Sequence, residues 1–263
     1  MGIKHCIRAL GASLFKNRTL HSPETEQITV SLPHLPTAFN GFRIAVVSDL
    51  HLPDCLSSPA QIIRSLREQS PDCIVLAGDL TNRYHHTDER QLYAFLQEIN
   101  AIAPTFAIAG NHERAPHRFA TFRALLETAH IPLLKDAYTT LEKDGNTLTL
   151  YGVFDPHLPL PTTVPSPAIL LVHYPHRAVK QADSGFSLAV CGHAHGGQMR
   201  IFKRGLFAPG QGFFAKYVSG LYHIGNMQMV VSRGLGDSSL PIRIHNRPHL
   251  PIIILHNPTA LYI

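Results

Sequence analysis

No run of apolar residues in this sequence approaches the ~20 needed for a helix to cross a bilayer, and its first residues lack the apolar core and cleavage site of a secretory signal. A membrane-spanning helix and secretion are therefore not expected. Cysteine is sparse: Cys6, Cys55, Cys73 and Cys191 show no Cys-x-x-Cys spacing, and they read as reduced structural thiols in a cytoplasmic protein. A Gly-x-Ser-x-Gly elbow is missing, so nothing marks a seryl nucleophile. Lys and Arg form no dense stripe interleaved with aromatics, which leaves nucleic-acid binding without its usual footprint. Repeats and low-complexity linkers are absent too. With 44% hydrophobic and 16% charged residues, the 263-residue chain has the material for one α/β domain with a full core.

What the chain does carry is positive charge and histidine. A formal charge of +5 and a pI near 9.1 favour anionic partners, whether phosphate esters, nucleic acid or acidic lipid surfaces. No acidic residue precedes Glu24, while Ile3, Ile7, Leu10 and Leu14 fall at helical spacing among Lys4, Arg8, Lys16 and Arg18. Residues 1–27 are expected to form a basic amphipathic segment, lying on an anionic membrane surface or packed on the domain over 28–263. Cys6 stands where myristoylation prefers Ser or Thr, so lipidation of Gly2 is not indicated.

Most of the 18 histidines read as surface residues, but a few sit in a pattern. In Cys191-Gly192-His193-Ala194-His195-Gly196-Gly197-Gln198, two histidines one residue apart follow the apolar run Ser187 to Val190. The glycines let the backbone turn tightly at the strand end and present both imidazoles. Alone, such a turn reads more readily as histidines facing water than as a metal site. Four earlier apolar runs end the same way, at Asp49-Leu50-His51, Gly78-Asp79, Gly110-Asn111-His112-Glu113 and His173. Ligands of open α/β sheets bind outside the carboxyl ends of strands, so five such tips can converge on one crevice although far apart in sequence.

The remaining texture supports that architecture. Ile28-Thr29-Val30 predicts an edge strand, and Ser58-Pro59 opens a helix to about Gln69. Leu92, Phe95, Leu96 and Ile99 mark one face of a helix over 88–100, and Phe119, Phe122, Leu125 and Leu126 one over 117–129. Alternation of strand and helix predicts a parallel half-sheet. From Leu133 the pattern turns to strands: a hairpin around Lys143-Asp144-Gly145-Asn146, a proline-rich loop over 156–167, and short strands near 199–202, 221–224, 227–232 and 252–255. Hairpin and late strands together predict a second sheet packed on the first.

All five blocks, in their order, resemble the calcineurin-like metallophosphoesterases, whose pattern is Asp-x-His, Gly-Asp, Gly-Asn-His-Glu/Asp, a lone His and Gly-His-x-His. The likeness runs from about Gly41 to the end. Gly196-Gly197-Gln198, the stretch Phe207 to Tyr222, and Ser232-Arg233-Gly234-Leu235-Gly236 with Pro241-Ile242-Arg243 are similar to the bacterial branch of YkuE- and YaeI-type phosphodiesterases. The resemblance implies a two-sheet β-sandwich flanked by helices, with the site at the carboxyl ends of strands. It implies that Asp49, His51 and His195 hold one metal, that Asn111, His173 and His193 hold the other, that Asp79 bridges them, and that His112 faces the substrate. Imidazole, carboxylate and amide donors together suit Mn, Fe, Zn or Co, with Mn the metal expected. Two such cations ~3.5–4 Å apart can activate a water and clamp a phosphoryl group.

The activity so implied is hydrolysis of a phosphodiester or pyrophosphate by metal-bound hydroxide, on a lipid-linked or nucleotide-sugar substrate of the UDP-2,3-diacylglucosamine type. An imidazolium at His112 would stabilise charge or protonate the leaving oxygen; the alternative is a histidine that merely fixes Asn111. Glu113 reads as support rather than ligand, and Asp54, Asn82 and Arg83 as crevice rim or solvated loop. His176 reads as a helix-start residue, and Arg233 as a phosphate contact or part of a tight turn. Leu206, Phe207, Phe213, Phe214 and Tyr217 follow the His193/His195 tip closely enough to form an apolar lip, or else fill the second sheet's core. A nuclease is the rival reading because the pI is basic, and an inactive binding module is disfavoured by the complete ligand set. No specific nucleic-acid partner is expected, a peripheral anionic membrane contact is one of the two readings of the N-terminal segment, and nothing fixes the oligomeric state.

Overall fold

The computed structural model describes residues 21–155, 157–161, 163–201, 204–208, 211–237 and 243–259; the amphipathic pattern over residues 1–20 lies outside them. Among the described residues no helix is long and apolar enough to cross a membrane.

Strands and helices alternate first, as the apolar periodicity predicts. β1 (Glu24–Ser31) is followed by β2 (Arg43–Val47), α1 (Pro59–Gln69), β3 (Cys73–Leu76), α2 (Glu89–Asn100), β4 (Thr105–Ala107) and α3 (Pro116–Thr128). Ser58 and Gln61 close α1 reciprocally, each side chain accepting the other's backbone N–H. Asp88 does the same service for α2, its carboxylate accepting from Arg90 and Gln91. Leu92, Phe95, Leu96 and Ile99, the predicted face of α2, are buried. The antiparallel hairpin β5 (Ala137–Lys143) and β6 (Asn146–Gly152) turns through Asp144 and Gly145, both with φ near +50 to +70° as a two-residue turn requires.

After β7 (Ala168–Leu171) comes the short α4 (Pro175–Val179), then β8 (Leu188–Cys191). Two miniature hairpins follow, β9 (Arg200–Ile201) with β10 (Arg204–Gly205) and β11 (Phe207–Ala208) with β12 (Gly212–Phe213). β13 (Gly220–Ile224), β14 (Met227–Val231) and β15 (His249–His256) complete the chain.

Two sheets result, ordered β1-β15-β2-β3-β4 and β13-β14-β8-β7-β6-β5, with β2, β3 and β4 parallel and β6, β7, β8 and β14 parallel. β1 is the edge strand the sequence predicts. β15 departs from expectation: instead of joining the second sheet it inserts between β1 and β2 in the first, pairing parallel to one and antiparallel to the other. Its run Ile252-Ile253-Ile254-Leu255 is apolar on both faces, so periodicity marks a buried strand without saying in which sheet.

Alternation along the strands builds three layers of core. Ala45, Val47, Ile74 and Leu76 pack beneath α1, α2 and α3, whereas Ile44, Val46, Val75, Ile169, Leu171, Leu188, Val190 and Val230 interleave between the sheets. Ala189, Cys191, Met229 and Val231 face the far side with Ala178 of α4. Each fully buried aliphatic of this kind contributes ~1.5–3 kcal/mol. The parallel strands of both sheets end at one rim.

Candidate metal centre

That rim gathers every candidate ligand. Asp49 and His51 follow β2, Asp79 follows β3, Asn111 and His112 follow β4, His173 follows β7, and His193 and His195 follow β8, so both sheets contribute. His51 Nε2 and His195 Nε2 face each other at 3.2 Å, and Asp49 Oδ1 is 3.5 Å from His195 Nε2. A second focus has His173 Nε2 3.1 Å from Asp79 Oδ2, with the His193 ring 5.0 Å from that of His173. Asp79 Oδ2 also lies 3.9 Å from His51 Nε2, between the two foci. Asp49, His51 and His195 therefore form one donor group and Asp79, His173 and His193 another, all buried.

Backbone geometry shows why local propensity could not have foretold this. Asp49, His51, Asp79, His193 and His195 all have φ between +47 and +68°, the left-handed region that L-residues avoid. Each costs on the order of 1–3 kcal/mol and persists only because its surroundings hold it. Gly192 has no room for a side chain, since a Cβ there would sit 2.6 Å from Asp49 Oδ2.

The donor set fits divalent cations. His173 Nδ1 is 2.8 Å from the Ala77 carbonyl and donates to it, leaving Nε2 with its lone pair aimed at the Asp79 carboxylate. A proton or a cation must lie between them. Burial drives the imidazoles of His51 and His193 down to about 3, which keeps both neutral and able to donate lone pairs. Burial raises the Asp49 carboxyl to about 6; for His173, burial is outweighed by Asp79, which lifts the ring to about 9. The buried Asn111 Oδ1 and His51 Nδ1 have no hydrogen-bond partner among the described residues. Two carboxylates and the neutral, inward-facing nitrogens of His51, His193 and His195 form a mixed donor set of the kind divalent metal ions take.

The shell around the donors is dense. Glu113 accepts the backbone N–H groups of Asp79, Thr81 and Gly110 and the Thr81 hydroxyl, which bears out its reading as support. Asp79 Oδ1 in turn accepts the His112 amide at 2.8 Å, and Asp49 accepts that of His193. Leu235 and Gly236 donate to the carbonyls of Ser48 and Asp49, so the Ser232–Gly236 turn is a shelf under β2's tip. Arg233 points away from the site into Glu24, Glu26 and Ser219; the tight-turn reading holds and phosphate contact does not.

His112 faces the donors with Nε2 4.0 Å from Asp79 Oδ2, and its Nδ1 accepts the Arg83 amide at 3.0 Å. This bond puts the ring proton on Nε2. An imidazolium would set one N–H against another, so His112 is built as a neutral hydrogen-bond donor. Asn82 and His85 bind Asp54, and Arg118 donates to the Asn82 carbonyl, making that loop an ordered rim. His176 is the second residue of α4, its ring 5.5 Å from that of Tyr174.

Sequence reasoning missed several neighbours. Tyr84 stands edge-on to His112 at 5.7 Å and Tyr174 edge-on to His193 at 4.6 Å, walling the site at both ends. Arg243 Nη2 lies 3.2 Å from His195 Nδ1, and Asn246 donates to the carbonyls of His195 and Gln198. The likeness of Pro241-Ile242-Arg243 to the bacterial branch is the one signal for Arg243, and it assigns no role; Tyr84, Tyr174 and Asn246 have none. The expected aromatic lip divides: Tyr217 packs against Tyr222 on the core, while Phe213 and Phe214 are exposed.

The calcineurin-like phosphoesterase family model matches residues 42–197, the span holding every donor named above. YkuE of Bacillus subtilis, a metallophosphoesterase by name, is 30% identical over 89% of this chain and 86% of its own length. Phosphodiesterase YaeI of Escherichia coli is 30% identical over 81% of this chain and 82% of itself. Among solved structures, a 5'-nucleotidase of Candida albicans shares the fold at 11% identity and a TM-score of 0.50, over 85% of this chain and 53% of its own. The chain therefore belongs to the calcineurin-like phosphoesterase family and is a metal-dependent hydrolase.

Proposed function

We propose that this hydrolase uses two metal ions to cleave a phosphodiester or pyrophosphate bond, and that its substrate is lipid-linked or a nucleotide sugar, a UDP-2,3-diacylglucosamine-type lipid being one candidate. The observation that carries the two-metal reading is Asp79 Oδ2, within 4 Å of nitrogen donors from both foci. Asp49, His51 and His195 would hold one cation, Asn111, His173 and His193 the second, and Asp79 would bridge them. Manganese is the metal proposed; iron, zinc and cobalt suit the same mixed donors. Bound there, such a pair supplies an activated water and neutralises charge on phosphoryl oxygens.

The chain's own residues supply the rest. His112 donates a hydrogen bond through Nε2 to an oxygen of the scissile group, fixed in that tautomer by the Arg83 amide. Arg83 stacks on Tyr84 with Cζ 5.1 Å from the ring centre and Arg114 on Phe154 at 5.6 Å, and neither has an acidic partner among the described residues. Stacking leaves the N–H edges of a guanidinium open for phosphate oxygens. YaeI, a phosphodiesterase by name, supports the diester reading, and the basic residues before Glu24 support placement at the inner face of a membrane.

The test is a panel of aryl phosphodiesters, nucleotide-sugar pyrophosphates, lipid-linked diphosphates, phosphomonoesters and DNA, run with chelator and with restored Mn. Diester or pyrophosphate cleavage that needs metal is expected. Unchanged turnover after complete metal removal would refute the mechanism, and preferential cleavage of DNA would favour the nuclease reading.

A further inference from the structure

Phe213 and Phe214 are the most exposed large apolar side chains among the described residues, at 76% and 78%. They stand at the base of the β11–β12 hairpin, where Phe213 pairs with Phe207 and meets its ring edge to face at 5.3 Å and Phe214 follows. Phe214 has φ +54°, a conformation bulky residues avoid, so the backbone is strained to hold this ring outward. Two more exposed apolar residues belong to hydrogen-bonded neighbours: Ile201 pairs with Arg204 in the β9–β10 hairpin, and Ile244 accepts the Arg200 amide. Leu206 donates to Met199, and Phe214 to Leu206, joining the two hairpins through the backbone.

The local sequence carries charge of one sign, although Arg200 lies near Glu24 and Glu26 of β1. From Ser184 to Gly236 the sequence contains no Asp or Glu, and the stretch over the hairpins carries Arg200, Lys203, Arg204 and Lys216. Arg204 and Lys216 are exposed. Exposed phenylalanines beside the exposed Arg204 and Lys216 suit a surface that is apolar within and anionic at its face. We propose that the β9–β12 hairpins dock on an anionic lipid bilayer, with Phe213 and Phe214 inserted among the acyl chains and Arg204 and Lys216 on the headgroups.

The hairpins adjoin the turn bearing His195, since Leu206 and Arg200 bond to the residues that follow it. Docking would therefore hold the metal rim near the membrane. In that sense the inference rests on the lipid-linked substrate proposed above, but binding and turnover are read separately. The test is flotation of the full chain with phosphatidylcholine vesicles containing about one-third phosphatidylglycerol, and with phosphatidylcholine alone, beside hydrolysis of a soluble aryl diester. Wild type should float with the anionic vesicles and lose binding in high salt. Phe213→Ser with Phe214→Ser, and separately Arg204→Glu with Lys216→Glu, should each weaken partitioning about tenfold or more while leaving soluble-diester turnover within about twofold. Wild type that ignores anionic vesicles, or variants that float as well as wild type, would overturn the proposal. Loss of soluble-diester activity in wild type would instead remove the hydrolytic reading and leave the docking result standing.

Discussion

Glu113 accepts the backbone N–H of Asp79 at 2.9 Å, while the Asp79 side chain accepts the amide of His112, one residue before Glu113. The tips of β3 and β4 thus hold each other through reciprocal bonds, and the central carboxylate of the site is positioned by a residue that is no ligand. Glu113→Gln would replace one accepting oxygen with an N–H donor facing backbone donors. It should lower metal affinity about 10–100-fold, as loss of a supporting partner does. Titration of activity with Mn checks this: the rate at saturating metal should recover most of its value.

Asp79→Ala should be the most damaging change at the site, because it removes a donor from both foci at once. Loss of several kcal/mol of charge stabilisation corresponds to a rate deficit of ~10³-fold or more. Metal analysis of the variant should show occupancy well below that of wild type; full occupancy by two ions would rule out the bridge.

His112→Asn should retain metal and lose ~10²-fold in rate, in the range of one lost donor to a developing oxyanion. Since Nδ1 is occupied by the Arg83 amide, the deficit should be the same for aryl diesters with good and poor leaving groups. A deficit that shrinks as the leaving group improves would show that His112 transfers its proton.

Chelation should lower the melting temperature as well as activity. Without a cation the buried Asp49 and Asp79 repel each other, and a ligand present at ~1,000 times its Kd contributes ~4 kcal/mol of stability. Differential scanning calorimetry with and without Mn reads this directly, and equal melting temperatures would contradict it.

Glu26 links the β1 edge to the shelf under Asp49: it lies 2.9 Å from His249 Nε2, and His249 Nδ1 accepts the Arg233 amide. The His249 hydrogen bond holds the Glu26 carboxyl below its ordinary value, with Arg233 adding to the effect. A carboxyl depressed in the fold contributes stability above its unfolded value and loses it as pH falls through the folded one. Glu26→Gln should therefore cost stability at neutral pH and flatten the fall between about pH 5 and 3, measured by urea midpoints across that range.

The strands and helices near the site were legible because their apolar periods are strong, and the five ligand blocks because each ends a buried run. What sequence could not supply was position. β15 reads as a buried strand wherever it pairs; Arg243 belongs to the Pro241-Ile242-Arg243 motif, whose role the sequence left open, and Asn246 reaches His195 across about fifty residues with no local pattern to announce it. The tautomer of His112 is set by a backbone amide, which leaves no trace in residue type. Arg233 illustrates the converse, an arginine in a glycine-rich turn whose partners, Glu24 and Glu26, lie on another strand.

The left-handed backbone at Asp49, His51, Asp79, His193 and His195 sets folding against chemistry at those positions. Glycine would relax each of them, and asparagine would relax them in part, so the sequence that folds most readily here is one that can no longer assemble the donors. Once metal no longer binds, a lineage released from its reaction would drift toward such replacements and relieve that strain as it lost function. Screens for thermostable variants run under strong chelation, where bound metal no longer stabilises the fold, should accordingly recover inactive proteins altered at these five sites, and an engineer seeking a hardier enzyme should look to the helices and the outer sheet edge instead.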